Sequence, residues 1–251
     1  MEYGFIHPQF CEEDGDRLLA DYLKTYGMRE LFFGAKNPNK YKKYKEAIFN
    51  MINAKDYFDV GIKFHGHKCP AMPLGLRAGA AAMNALGVER SQDKELVMVV
   101  ETGNDHAAGC FVDGLMTITG CTYGKSNIKK TYVGKMAFTL IDTKRQKAVR
   151  VQLKPEFFGK MLQSPFVQQR KQGVPPQDIL ANITDPLVEG VMNRAEEEFL
   201  AISPVFDYPF ERTKGTFDTD LCAVCGERVF VHKLQNVDSK KICIPCAEKA
   251  K

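Results

Sequence analysis

No apolar run in this chain is long enough to cross a bilayer, so a membrane-spanning helix is not expected. The N-terminal stretch MEYGFIHPQFCEEDGDR has acids where a secretory signal needs bases and then an apolar stretch. A cytoplasmic protein is therefore expected. No long block of one charge sign occurs, and the formal net charge is only +4, too mild to imply nucleic acid by itself. Internal repeats and low-complexity tracts are missing as well. What remains is an ordinary globular composition over 251 residues, enough for one medium domain with a real core plus a small one.

The eight cysteines are placed unevenly, in pairs or beside histidines. In a reducing compartment that pattern favours metal or thiol chemistry over disulfides. Four of them give Cys222-x-x-Cys225, seventeen residues, then Cys243-x-x-Cys246. Each Cys-x-x-Cys knuckle can aim two sulfurs at one ion, and two knuckles supply the tetrahedral sulfur shell of a structural zinc site. RVFVHKLQNV and KKICI read as short strands around a turn at Asp238, and CAEKAK as the start of a helix. A zinc-ribbon-like or treble-clef-like module is expected, with His232 on its surface and outside the ligand set. A segment so short has little core, so metal binding would supply most of its folding free energy, on the order of 10 kcal/mol.

A second group lies between residues 65 and 121. His65-Gly-His67-Lys-Cys69-Pro places two imidazoles and a thiol within reach of one ion, a mixture that suits zinc, iron, nickel or copper. Cys110 and Cys121 flank the segment GCFVDGLMTITG. If that segment is one helix they stand about 16 Å apart, too far to share an ion. Cys121, in a flexible loop, can fold back to the histidines and is set down as their fourth partner. Cys110 starts the helix, where the dipole favours thiolate, and reads as a reactive thiol or a ligand in its own right. Glu101 and Lys125 complete the catalytic candidates, as a base at a strand end and an anion-binding loop cation. His106 lies just before Cys110.

The hydrophobic pattern places these residues on an α+β scaffold. Residues 1–40 read as an accessory segment with a short amphipathic helix near 16–26, followed by a basic connector. A helix is expected from about Lys42 to Phe58. GIKFHGHKCPAMP, with two glycines and two prolines, is expected outside regular structure. PLGLRAGAAAMNALG reads as a helix closed by Gly87. ELVMVVE reads as a strand buried on both faces, and GKMAFTLID with AVRVQL as an antiparallel hairpin. Residues 155–202 turn helical, the last and longest helix being capped by Thr184, Asp185 and Pro186. The expected division is 1–40, a metal-cleft domain over 41–202, a linker over 203–220 and the zinc module over 221–251.

FHGHKCP with LGLRAG, then ELVMVVETG, GCFVDGLMTITGCTYGKSNI, VGKMAFTL and VRV, in this order, resemble the FmdE family of formylmethanofuran dehydrogenase proteins over roughly residues 45–200. The resemblance implies an α+β core, a homodimer, and a metal-associated cleft lined by His65, His67, Cys69, Cys110 and Cys121. Ala71 and Pro73 stand where family members tend to have a glycine and a small or apolar residue, and TGNDHAAG is longer than usual. The parent enzyme reduces carbon dioxide onto methanofuran at a molybdenum or tungsten pterin. This chain shows no pterin-binding glycine pattern and no ferredoxin-type cysteine run, so it is not expected to perform that reaction.

Three functions follow. The first is an accessory metalloprotein of molybdenum or tungsten enzymes or one-carbon metabolism, with a structural zinc and a cleft metal of zinc, nickel or iron. The second is a hydrolase or transferase using the cleft metal as Lewis acid. The third is a regulator that touches nucleic acid or a partner protein through the zinc module. The module's weak basic bias has no base-reading helix signature, so nucleic acid is not favoured.

Overall fold

The computed structural model describes residues 51–105, 107–211 and 215–249. The accessory segment, the amphipathic helix near 16–26, the onset of the helix expected at Lys42, and His106 lie outside the described residues. The chain divides into two compact units, one ending at Pro209 and one beginning at Phe210. Among the described residues no helix is long and apolar enough to cross a membrane.

The first unit starts with a 3-10 turn at Ala54–Tyr57, capped by the Asn53 side chain, which accepts the Lys55 N–H at 3.0 Å. Helix α1 (Phe58–His65) follows directly. Phe58 therefore begins a helix where the sequence was expected to end one, and the histidine segment is partly helical. Gly61, a poor helix former, is tolerated because its bare face lies against Met72: an added Cβ there would stand 3.0 Å from the Met72 sulfur.

Helix α2 (Ala71–Leu86) ends as expected, at Gly87 in the left-handed region with its N–H returned to the carbonyls of Met83 and Asn84. Helix α3 (Ala108–Thr119) ends the same way at Gly120. The two helices approach so closely that an added Cβ on Gly75 would stand 2.0 Å from the Phe111 carbonyl oxygen. One on Gly114 would stand 2.1 Å from that of Met72. This small-residue crossing is what carries the start of α3 up to the histidine segment ahead of α2.

The strands are β1 (Leu96–Val100), β2 (Ile128–Lys130), β3 (Ala137–Asp142), β4 (Lys147–Leu153), β5 (Leu200–Ile202) and β6 (Phe206–Asp207). They form one sheet in the order β2-β1-β3-β4-β5, with β6 also paired to β4. The β3–β4 hairpin is antiparallel as expected, while the short β2, for which the sequence reading had no element, pairs parallel with β1. Helix α2 packs on β3, β4 and β5, and Phe111 of α3 meets Phe138 of β3 with ring centroids 6.3 Å apart. Leu96, Met98 and Val100 are buried under the helices, whereas Val97 and Val99 stay half-exposed. β1 is thus buried on one face and not on two, because its neighbour β3 is antiparallel and the helices cover one side.

Beyond the hairpin lie α4 (Pro155–Met161), α5 (Pro165–Lys171), α6 (Ala181–Asn193) and α7 (Glu196–Phe199). The long last helix of the sequence reading is therefore broken. It begins at Ala181, so Pro186 sits inside α6 and leaves the carbonyl of Asn182 without its helical donor. At the other end, Arg77 of α2 donates to the carbonyls of Val191, Met192 and Arg194 at 2.9, 2.9 and 2.7 Å. The chain then turns so that Leu200–Ile202 can pair with β4. Tertiary pairing outweighs the helical propensity of EEEFLAI.

The second unit contains the hairpins β7 (Thr219–Leu221) with β8 (Arg228–Phe230) and β9 (Leu234–Val237) with β10 (Lys240–Cys243), followed by α8 (Ile244–Lys249). The turn expected at Asp238 is present, with Asp238 and Ser239 both at positive φ. Its core is small: Cys222, Ile242, Cys243 and Ala247, with Val229, Leu234 and Val237 beside them.

Candidate metal centres

In the second unit the four cysteines converge. The sulfurs of Cys222, Cys225, Cys243 and Cys246 all lie within 4.8 Å of one another. Zn–S arms of 2.3 Å at the tetrahedral angle set the sulfurs about 3.8 Å apart. The Cys225–Cys243 separation is 3.9 Å. The Cys243 N–H donates to the Cys222 sulfur at 3.2 Å. Backbone N–H groups of Cys225 and Cys243 hold the Cys222 thiol down to about 6, ready as thiolate. His232 is exposed and outside the cluster.

The first unit holds a second cluster. Helix α1 delivers His65 at its last position, and Gly66, at φ 90, takes the left-handed cap that an L side chain rarely adopts. That reversal sets the His67 ring centroid 4.2 Å from that of His65, the two rings tilted by 45°. Cys69 follows, buried, two residues before α2. The close crossing of α2 and α3 brings Cys110 of α3 alongside. One nitrogen each from His65 and His67 and the sulfurs of Cys69 and Cys110 all lie within 4.8 Å of one another.

His65 is oriented by Asp113, one turn beyond Cys110 on α3. The ring Nδ1 and the Asp113 Oδ2 are 2.8 Å apart, which turns Nε2 inward to 3.5 Å from the Cys69 sulfur. Zinc bound by sulfur and nitrogen at 2.3 and about 2.05 Å would separate those two atoms by about 3.6 Å. The hydrogen bond to Asp113, with help from Cys69, raises His65 to about 9. The hydrogen bond from Cys110, outweighing burial, lowers the Cys69 thiol, and the same contact with burial raises Cys110. Two imidazoles and two thiols are a donor set suited to zinc or another borderline-soft ion.

The structure thus unites His65, His67 and Cys69 with Cys110, and not with Cys121. Cys121 is fully buried below the C-terminal end of α3, near Thr119 and Lys125, and burial pushes its thiol up to about 11. The helix between the two cysteines is continuous, and that is what separates them. Glu101 is held in a two-bond ion pair by Arg150, at 2.6 and 2.9 Å, which lowers its carboxyl. Lys125 donates to the Ser91 carbonyl at 2.9 Å. Neither belongs to the cluster. Asp113 was not singled out from the sequence. Its spacing of three from Cys110 on a helix puts both on one face, and that was the available signal.

Residues 64–201 match the family described as FmdE, Molybdenum formylmethanofuran dehydrogenase operon. Residues 215–251 match the prokaryotic dksA/traR C4-type zinc finger. A protein of Archaeoglobus fulgidus named "Probable S-adenosyl-L-methionine-binding protein" is 30% identical over 196 residues, which are 74% of this chain and 50% of that protein. The chain therefore spans half the length of that relative. The crystal structure of a tungsten formylmethanofuran dehydrogenase FmdE-like protein from Syntrophus aciditrophicus has a similar fold. It matches with a TM-score of 0.50 and 18% identity, over 78% of this chain and 93% of that one.

Proposed function

The chain belongs to the FmdE family, and on that premise we propose that it is an accessory metalloprotein of molybdenum or tungsten enzyme systems or one-carbon metabolism. Family and finger together indicate a metal-binding protein. In this reading a structural zinc sits in the C-terminal finger, and a transition metal is held by His65, His67, Cys69 and Cys110. The observation that carries the reading is the convergence of four soft and borderline donors from α1, the segment after it and α3, with Asp113 turning His65 toward them. Hydrogen bonding of a ligand imidazole to a carboxylate is the usual outer support of a metal-binding histidine. A homodimer and a molybdenum or tungsten enzyme partner belong to the same proposal.

The relative's name attaches S-adenosyl-L-methionine to a protein twice as long. That ligand is said of the relative and is not part of this reading. Metal analysis tests the reading. His65→Ala with Cys69→Ser should remove one metal equivalent per chain and leave the finger's zinc in place. Unchanged metal content in a folded double variant overturns it.

A further inference from the structure

Two of the four cluster donors are thiols from distant parts of the chain. Cys69 stands three residues before Met72, and Cys110 four residues before Gly114. Met72 and Gly114 lie where the backbones of α2 and α3 meet: an added Cβ on Gly114 would stand 2.1 Å from the Met72 carbonyl oxygen. One turn along, Gly75 faces the Phe111 carbonyl oxygen in the same way, at 2.0 Å. Backbone contact between the helices thus sets the spacing of the two cysteines, whatever the cluster holds. Their sulfurs lie within 4.8 Å of each other, and the thiols share a hydrogen bond. Closing them to the disulfide length of about 2.05 Å asks each sulfur to move by roughly 1.4 Å at most.

The pair is also within reach of small molecules. Both cysteines line a partly open pocket. Cys110 is half-buried, whereas Cys69 is only 2% exposed. An oxidant therefore meets Cys110 first, with Cys69 behind it as the resolving thiol. Cys121, fully buried at the other end of α3, is outside this arrangement. Joining the two sulfurs removes both thiolates from the donor set, and the thiolate is the form that binds metal. Two imidazoles remain, too few for the four-coordinate shell that zinc takes.

We propose that Cys69 and Cys110 form a redox switch on the cleft metal: a hydroperoxide converts the pair to a disulfide and releases the ion, and a dithiol restores the site. The Cys110 thiolate attacks one peroxide oxygen and the O–O bond breaks, giving a sulfenic acid and hydroxide. The Cys69 thiolate then attacks that sulfur, the S–S bond forms and a second hydroxide leaves. The cysteine pair has lost two electrons, the peroxide has gained them, and the two hydroxides balance the divalent ion set free. In the reverse direction a dithiol supplies two electrons and two protons and becomes a disulfide itself. This rests on the metal reading above and adds to it the regulation of that site.

The test uses the full chain loaded with zinc, whose stoichiometry is measured first. Hydrogen peroxide is added in small steps. Released zinc is followed with a colorimetric chelator, and peptide mapping without reductant shows which cysteines are joined. A Cys69–Cys110 link is expected in at least half of the chains, with Cys121 unlinked. One zinc should leave per link, counted apart from any zinc lost with links among the finger cysteines. Dithiothreitol with added zinc should undo the link and refill the site. Cys110→Ser should lower the yield of linked Cys69 at least tenfold, while Cys121→Ser should leave the link and the zinc loss unchanged. Two zinc ions in the reduced chain, with Cys69 and Cys110 unlinked after oxidation, overturns the switch and leaves the metal reading standing. A linked chain that keeps both ions overturns the switch as well. Zinc in the finger alone, before any oxidant is added, overturns the metal reading and the switch with it.

Discussion

At the scale of single residues, the sharpest claim concerns Asp113. Its carboxylate fixes the ring of His65 and leaves Nε2 facing the cluster. Outer carboxylates of this kind typically change metal affinity by roughly 10- to 100-fold. Asp113→Asn should therefore weaken the cleft metal by that factor in a chelator-competition titration, with the finger metal unchanged. Equal loss at both sites would mean general unfolding and not a positioning role. Glu95 makes a different prediction. Its carboxylate accepts from the Asp93 and Gln92 N–H groups at 2.8 and 3.2 Å and from the Ser91 hydroxyl at 3.0 Å. These bonds, the Asp93 N–H foremost, hold it at about 2. A carboxyl depressed on folding stabilises the fold above its unfolded value, near 4.5, and that stabilisation is lost as pH falls toward 2. Glu95→Gln should flatten the acid limb of a stability-against-pH profile between those values. An unchanged limb would show that the loop does not depend on the charge.

At the scale of elements, the site depends on how closely α2 and α3 approach. Gly114→Ala places a methyl group against the Met72 carbonyl, and overpacking of this kind costs about 2 kcal/mol or more. Denaturant unfolding should show that loss, together with a weaker cleft metal, because Cys110 and Asp113 move with α3. A neutral effect on both would contradict the crossing. The helices α2 and α3, the hairpin and the finger's turn were legible in the sequence because caps, glycines and periodicity agreed there. The break in the last helix was not. It is imposed by Arg77 from a distant helix and by pairing of Leu200–Ile202 with β4. The fourth cluster donor was half-legible. Helix length separates Cys110 from Cys121, but which one meets the histidines depends on the way α3 crosses α2, and the sequence does not show that.

At the scale of the whole molecule there are two units with different sources of stability. The first has an extensive apolar core including Phe111, Phe138 and Phe199, fully buried. Each such side chain contributes about 1.5–3 kcal/mol on burial. The finger has a handful of small buried groups and four sulfurs. A strong chelator should therefore expose residues beyond Phe210 to protease while the first unit stays folded by circular dichroism. Loss of both together would contradict independent stabilisation.

The central claim is that two differently ligated metals sit in one chain. X-ray absorption at the zinc edge, on full-length zinc-loaded protein, tests it most directly. Four sulfurs in the finger and two sulfurs with two nitrogens in the cleft average to about three sulfurs and one nitrogen per zinc, at about 2.3 and 2.05 Å. Two zinc ions per chain with that shell is the expected result. One zinc per chain in a shell of sulfur alone would contradict the cleft site.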